Sequence, residues 1–93
     1  MQFPVDYTRL SPQQRRVVRT AYIKQQGGKC AFCGEQLFNE PHVDVTSKPL
    51  NMDLFPKEFL KWPIHLDHDH YTGMTRGAVH AYCNGVLFQY FGG

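Results

Sequence analysis

The chain has no apolar run approaching the ~20 residues that a membrane-crossing helix needs. Its opening, MQFPVD, lacks the basic, apolar and small-residue zones of a secretory signal. Cysteine is scarce: three residues, an odd number that cannot pair off internally. A disulfide framework is therefore a poor fit, and a soluble protein of a reducing cytoplasm is expected, its thiolates free to hold metal. Repeats and low-complexity segments are absent, which leaves no basis for a solenoid or a disordered tail. Ninety-three residues make one small domain, 1–93. Such a chain buries only about three-fifths of its unfolded surface, so it needs a staple, and metal is the one available.

Net charge is a mild +2, but the charges are unevenly spread. Residues 1–29 carry Arg9, Arg15, Arg16, Arg19, Lys24 and Lys29 against the single acid Asp6. From residue 30 onward, four Lys/Arg face seven acids. A basic element beside a carboxylate-bearing site suits a polyanionic substrate; the plainer alternative is a solvated helix face.

Residues 1–10 read as an extended lead-in with Phe3, Val5 and Tyr7 alternating. A basic helix is expected over 11–26, with Ser11 as N-cap, Pro12 at the first position and Gln14 closing a capping box. Its apolar stripe is Val17, Val18, Ala21 and Tyr22, with Leu10 as a staple, and Gly27-Gly28 ends it. Cys30-Ala-Phe-Cys33-Gly34 then has the spacing of a zinc knuckle at 30–33; it follows a helix rather than a strand, which disfavours a redox pair. Prolines punctuate 35–63, where a short strand at Val43 to Val45 and a short helix from Pro56 to Trp62 are expected. The segment reads as an insertion packed over the site or reaching toward substrate. Ile64 to His70 reads as a strand, 75–80 as its returning partner around Gly73, and Cys83 to Phe91 as a short apolar helix.

The stretch His65 to Asn84, HLDHDHYTGMTRGAVHAYCN, holds four of the five histidines, two aspartates and one cysteine. Such density points to metal ligation and proton transfer. Cys30 and Cys33 need two further ligands, and His80-Ala-Tyr-Cys83 supplies them at matching spacing, giving a closed structural zinc set that uses every cysteine. The alternative is a buried core thiol at Cys83 and a surface His80. A second, open site is read at Asp67 and Asn84, one carboxylate and one carbonyl for a hard divalent ion, with His68 as general base. Adjacent residues on a regular strand face opposite ways, so Asp67 and His68 share a site only if the strand ends or bends there. Otherwise these side chains merely solvate a hairpin, and Asn84 is a helix N-cap.

The pattern C-x2-C, LDHDH, TG, RG and a ligand-x2-C-N ending resembles the phage recombination endonuclease VII family of HNH, or ββα-metal, nucleases. The resemblance covers Cys30 to Cys33 and Leu66 to Asn84. It implies an α+β, zinc-stapled domain with a ββα-metal core over 64–91 behind an N-terminal helix. It further implies catalytic Mg²⁺ or Mn²⁺ at Asp67 and Asn84, His68 as base, and His70 at the scissile phosphate. Structural Zn²⁺ would sit at Cys30, Cys33, His80 and Cys83. Arg76 matches the family's RG step, as a phosphate clamp or a brace for the hairpin. His80 departs from the family's usual cysteine, a chemically mild change.

The expected function is that of a phage-encoded, metal-dependent DNA endonuclease, nicking or cutting duplex, nicked or branched DNA in the host cytoplasm. Arg15, Arg16, Arg19 and Arg76 would contact DNA, and the chain would act as a monomer or as a homodimer through its apolar C-terminal helix. Two alternatives stand beside it: a zinc-stabilised nucleic-acid-binding module without catalysis, and a structural zinc domain in a protein assembly.

Overall fold

Helix α1 runs from Pro12 to Gln25 in the computed structural model, which describes residues 2–92. Met1 and Gly93, the outermost residues of the expected 1–93 domain, lie outside the described residues. Ser11 caps α1 reciprocally: its hydroxyl accepts from the Gln14 amide at 3.1 Å, and the Gln14 side chain accepts from the Ser11 amide at 2.8 Å. Such a cap contributes about 1 kcal/mol. Val18 and Tyr22, one turn apart, form the buried stripe, with Leu10 and Ile23 packed against its edges. Val17 leaves the expected stripe and is 55 % exposed, because its step around the helix carries it off the Val18–Tyr22 line.

The lead-in clasps the hairpin. Val5 and Thr75 exchange bonds, the Val5 amide to Thr75 Oγ1 at 3.0 Å and the Thr75 amide to the Val5 carbonyl at 2.8 Å. The Tyr7 amide donates to the Gly73 carbonyl at 2.8 Å, and Phe3 stacks on Tyr22.

Residues 35–63 differ from expectation in two places. Val43–Thr46 is a single helical turn, α2, and not a strand, because the His42 side chain caps it by accepting from the Asp44 amide at 3.0 Å. That local bond outweighs the β preference of two valines. Pro56 to Trp62 forms turns rather than a helix, with Phe59 bonded back to Pro56 and Lys61 to Glu58. The six residues between Pro56 and Pro63 are too few to repay helix nucleation.

Strands β1 (Ile64–His68) and β2 (Thr75–His80) form one antiparallel two-stranded sheet. β1 stops two residues short of the expected His70, because Asp69 turns the chain: its carboxylate accepts from the amides of Tyr71 and Thr72. Helix α3 spans Ala81–Phe91 with His80 in the cap position, and so begins two residues before the expected start at Cys83. The core joins Val18 and Tyr22 of α1 to Leu37, Val45, Leu66, Ala78, Val79, Cys83 and Val86. On the outer side of α3, Phe88, Tyr90 and Phe91 remain exposed. Among the described residues, no helix is long and apolar enough to cross a membrane.

Candidate metal centre and active-site cleft

Four ligand atoms converge where the knuckle meets the end of the hairpin. Those of Cys30, Cys33, His80 and Cys83 all lie within 4.8 Å of one another, and all but Cys33 are buried. The knuckle closes by the Gly34 amide bonding the Cys30 carbonyl and the Cys30 amide bonding the Glu35 carbonyl. Gly34 takes φ +82°, the left-handed turn that lets both sulfurs aim one way. Tetrahedral zinc bonds of ~2.3 Å to sulfur and ~2.0 Å to nitrogen set ligand atoms about 3.6 Å apart. His80 Nδ1 lies 3.5 Å from Cys33 Sγ and 3.6 Å from Cys83 Sγ. His80 Nε2 lies 2.9 Å from the Gln36 carbonyl, which makes Nε2 the protonated nitrogen and leaves the Nδ1 lone pair facing the thiols. The donor set and its spacing fit a structural zinc ion, as expected.

Cys30 is drawn well below the ordinary thiol range by the hydrogen bond from Cys83, with backbone amides assisting. Cys83, the proton donor of that pair and buried as well, is pushed up. Three packed sulfurs cannot all ionise without a cation among them.

Across the sheet lies a cleft of about 710 Å³. Arg15, Arg16 and Arg19 of α1 form one wall, and Asp67, His68, His70 and Asn84 contribute to the other. Asp67 and His68, consecutive in β1, both line this cleft, as do Ile64, His65 and Leu66 before them. Asp67 pairs with Gly77 but His68 with Thr75, so Arg76 is an extra residue and the register shifts between the two. This β-bulge lies in β2 and adds local twist to the hairpin beside the cleft.

Each member of the cleft is held by a neighbour. Asp67, 6 % exposed, receives both arms of Arg76: Nε to Oδ2 and Nη2 to Oδ1, each at 3.0 Å. Of the two roles expected for Arg76, the geometry displays the brace. His68 stacks face to face on Tyr7, with centroids 3.9 Å apart and planes 8° from parallel. The Arg15 guanidinium lies 4.1 Å from the same ring centre, so the two groups take opposite faces of Tyr7. Burial, then the nearby His70, holds His68 below its ordinary pKa, and the attraction of Asp67 only partly opposes this. A histidine so placed is neutral at pH 7 and able to accept a proton. His70, past the end of β1, is exposed, with its ring 5.0 Å from that of His68.

Asn84 is not an N-cap; it lies inside α3, behind His80 in the cap position. Its side-chain nitrogen donates to His65 Nδ1 at 3.0 Å, which leaves the carbonyl oxygen as the end available to a ligand. His65 was given no role by the sequence. Burial depresses its pKa, keeping the ring neutral and able to accept from Asn84. Gln26 was likewise missed: its amide donates to the carbonyls of Lys29 and Ala78 and accepts from the Ala78 amide, fastening α1 to β2. Partners 19 and 52 residues away leave no local signal for either residue. Among known proteins, no family model, no curated protein and no solved structure matches this chain.

Proposed function

We propose that the chain is a metal-dependent endonuclease of the HNH, or ββα-metal, kind acting on DNA. One observation carries this reading: Asp67, His68 and Asn84 line a single cleft together with Arg15, Arg16 and Arg19. Arg15, Arg16 and Arg19 would hold the phosphate backbone, an attraction that weakens as salt rises. His68, neutral and fixed in plane by Tyr7, would take the proton from an attacking water. His70, exposed at the mouth, would contact the scissile phosphate.

Asp67 and Asn84 would hold the catalytic Mg²⁺ or Mn²⁺. Arg76 occupies two of the roughly four lone-pair positions of the Asp67 carboxylate and leaves the others, and His65 leaves the Asn84 oxygen available. Such an ion would supply charge stabilisation at the phosphate and leaving oxygen. The zinc site would hold Cys83, and with it the adjoining Asn84, in position.

Supercoiled plasmid incubated with Mg²⁺ or Mn²⁺ should be nicked or linearised by the wild-type protein and left intact by His68→Ala. Intact plasmid with wild type, or equal cutting by both, would sink the proposal. The second reading, a zinc-stabilised nucleic-acid-binding module without catalysis, draws on the Asp67–Arg76 pair, which occupies the cleft's carboxylate. It predicts salt-sensitive DNA binding with no cutting under either metal.

A further inference from the structure

Behind the cleft is a smaller pocket of about 170 Å³ that the phosphodiester chemistry leaves unused. Its walls are hydrocarbon: Leu54, Phe55, Pro56 and Phe59 from the 35–63 segment, and Phe88 from α3. The polar lining is His70 and Asn84, and both also line the cleft. Phe59 lines both as well, so the two cavities share a rim that includes two candidate site residues.

The aromatic walls are not ordinary core. None of Phe55, Phe59 and Phe88 belongs to the buried cluster, and Leu54 and Phe88 stay 50 % and 43 % exposed. Their rings are nonetheless mutually arranged. Phe55 lies 4.6 Å from Phe59 and edge-on to Phe88 at 5.7 Å, while Phe88 meets His70 edge-on at 5.7 Å. The segment is tied to α3 near the pocket. Gln89 accepts from the Asn51 amide at 2.8 Å and donates to the Pro49 carbonyl at 3.2 Å, and the Tyr90 hydroxyl donates to that carbonyl too. Leu50 lies against Gly85 so closely that an added Cβ would come within 2.8 Å of it.

A flat, π-rich, largely apolar group suits this pocket, and it must be attached to something anionic enough to occupy the arginine-lined cleft. A polynucleotide offers that pairing, phosphate beside base. We propose that the pocket takes the base of the nucleotide adjoining the phosphodiester held at Asp67, His68 and Asn84, stacked on Phe88 with the Phe55 ring meeting it edge-on. The inference rests on the nucleic-acid reading of the cleft and assigns the 35–63 segment its purpose. A base must leave its helical stack to enter, which costs least in a single strand.

The test uses a short single-stranded oligodeoxynucleotide whose cut site has first been mapped with the zinc-loaded protein. Removing the base beside the cut should raise KM about tenfold for wild type, the range expected of one stacked base. Phe88→Ala should raise KM similarly on the intact strand and be indifferent to the missing base. If wild type cuts the abasic strand equally well, or the two losses simply multiply, the pocket holds no base. Phe88→Leu, which keeps apolar bulk without the ring, serves if the alanine variant does not fold, and should show the same indifference. Without added divalent ion, 2-aminopurine at that position should change fluorescence on binding wild type and not Phe88→Leu. That change without any cutting would retain the pocket while removing the nuclease reading; cutting without it would do the reverse. A concentration-dependent dimer that Phe88→Leu disrupts would assign the face to a second copy of the chain and overturn the proposal.

Discussion

Tyr7 illustrates how a residue with no part in the proposed chemistry can position one that is assigned a part in it. With the Arg15 guanidinium on one face and His68 on the other, its ring limits the imidazole to rotation within a plane. Tyr7→Leu should lower kcat on plasmid or oligonucleotide about tenfold with little change in KM, while Tyr7→Phe retains activity. Equal loss in both variants would point to the hydroxyl instead. His65 gives a pH dependence whose direction follows from burial. Its folded pKa lies below the ordinary 6.5, so below that value the unfolded chain binds a proton that the folded chain refuses. Stability from this residue is therefore full above about pH 6.5 and shrinks as pH falls through the depressed value. Protonation would also set a ring N–H against the Asn84 amide N–H. In urea melts at constant zinc, wild type should lose more stability than His65→Gln between pH 7 and 5.5. Parallel curves would exclude the effect.

Elements were legible wherever the relevant signal was local. Ser11, Pro12 and Gln14 announce α1 because a cap is read within four residues, and C-x2-C with H-x2-C announces the metal centre because each pair is one turn. The strand proposed at Val43 to Val45 was overridden by His42, a capping residue that propensity does not weigh. The bulge left no direct signature, although the RG step marks it in retrospect. Gly77 stands there at φ +152°, where an added Cβ would meet Gln26 Oε1 at 2.9 Å and the Ala31 Cβ at 3.0 Å. Three hydrogen bonds pin Gln26, so it cannot yield cheaply. Gly77→Ala should cost about 2 kcal/mol in chemical denaturation; a neutral result would mean that β2 and α1 slide apart freely.

At the scale of the whole molecule, ten buried residues among those described form the core cluster, and two of them are cysteines of the metal group. The metal centre joins knuckle, hairpin and α3, and it lies within the same cluster that packs Leu66, Ala78 and Val79 against Val86. Stripping zinc with a chelator should therefore abolish the cooperative thermal transition, and adding zinc back should restore it. Metal analysis should find about one tightly held zinc per chain; a sharp, unchanged melt in the metal-free protein would show that the core alone suffices. The sequence could not show how 35–63 packs, because prolines and scattered aromatics set up no period to follow.

Cys83 and Asn84 are neighbours in α3, one directed to the closed metal centre and the other to the cleft. A single peptide bond therefore separates the metal centre from the cleft. Cobalt bound there in place of zinc would be coloured, with an absorption sensitive to small changes in its sulfur ligands. Events in the cleft that tug on α3 would then be visible as a change of hue, without a label attached to either protein or DNA.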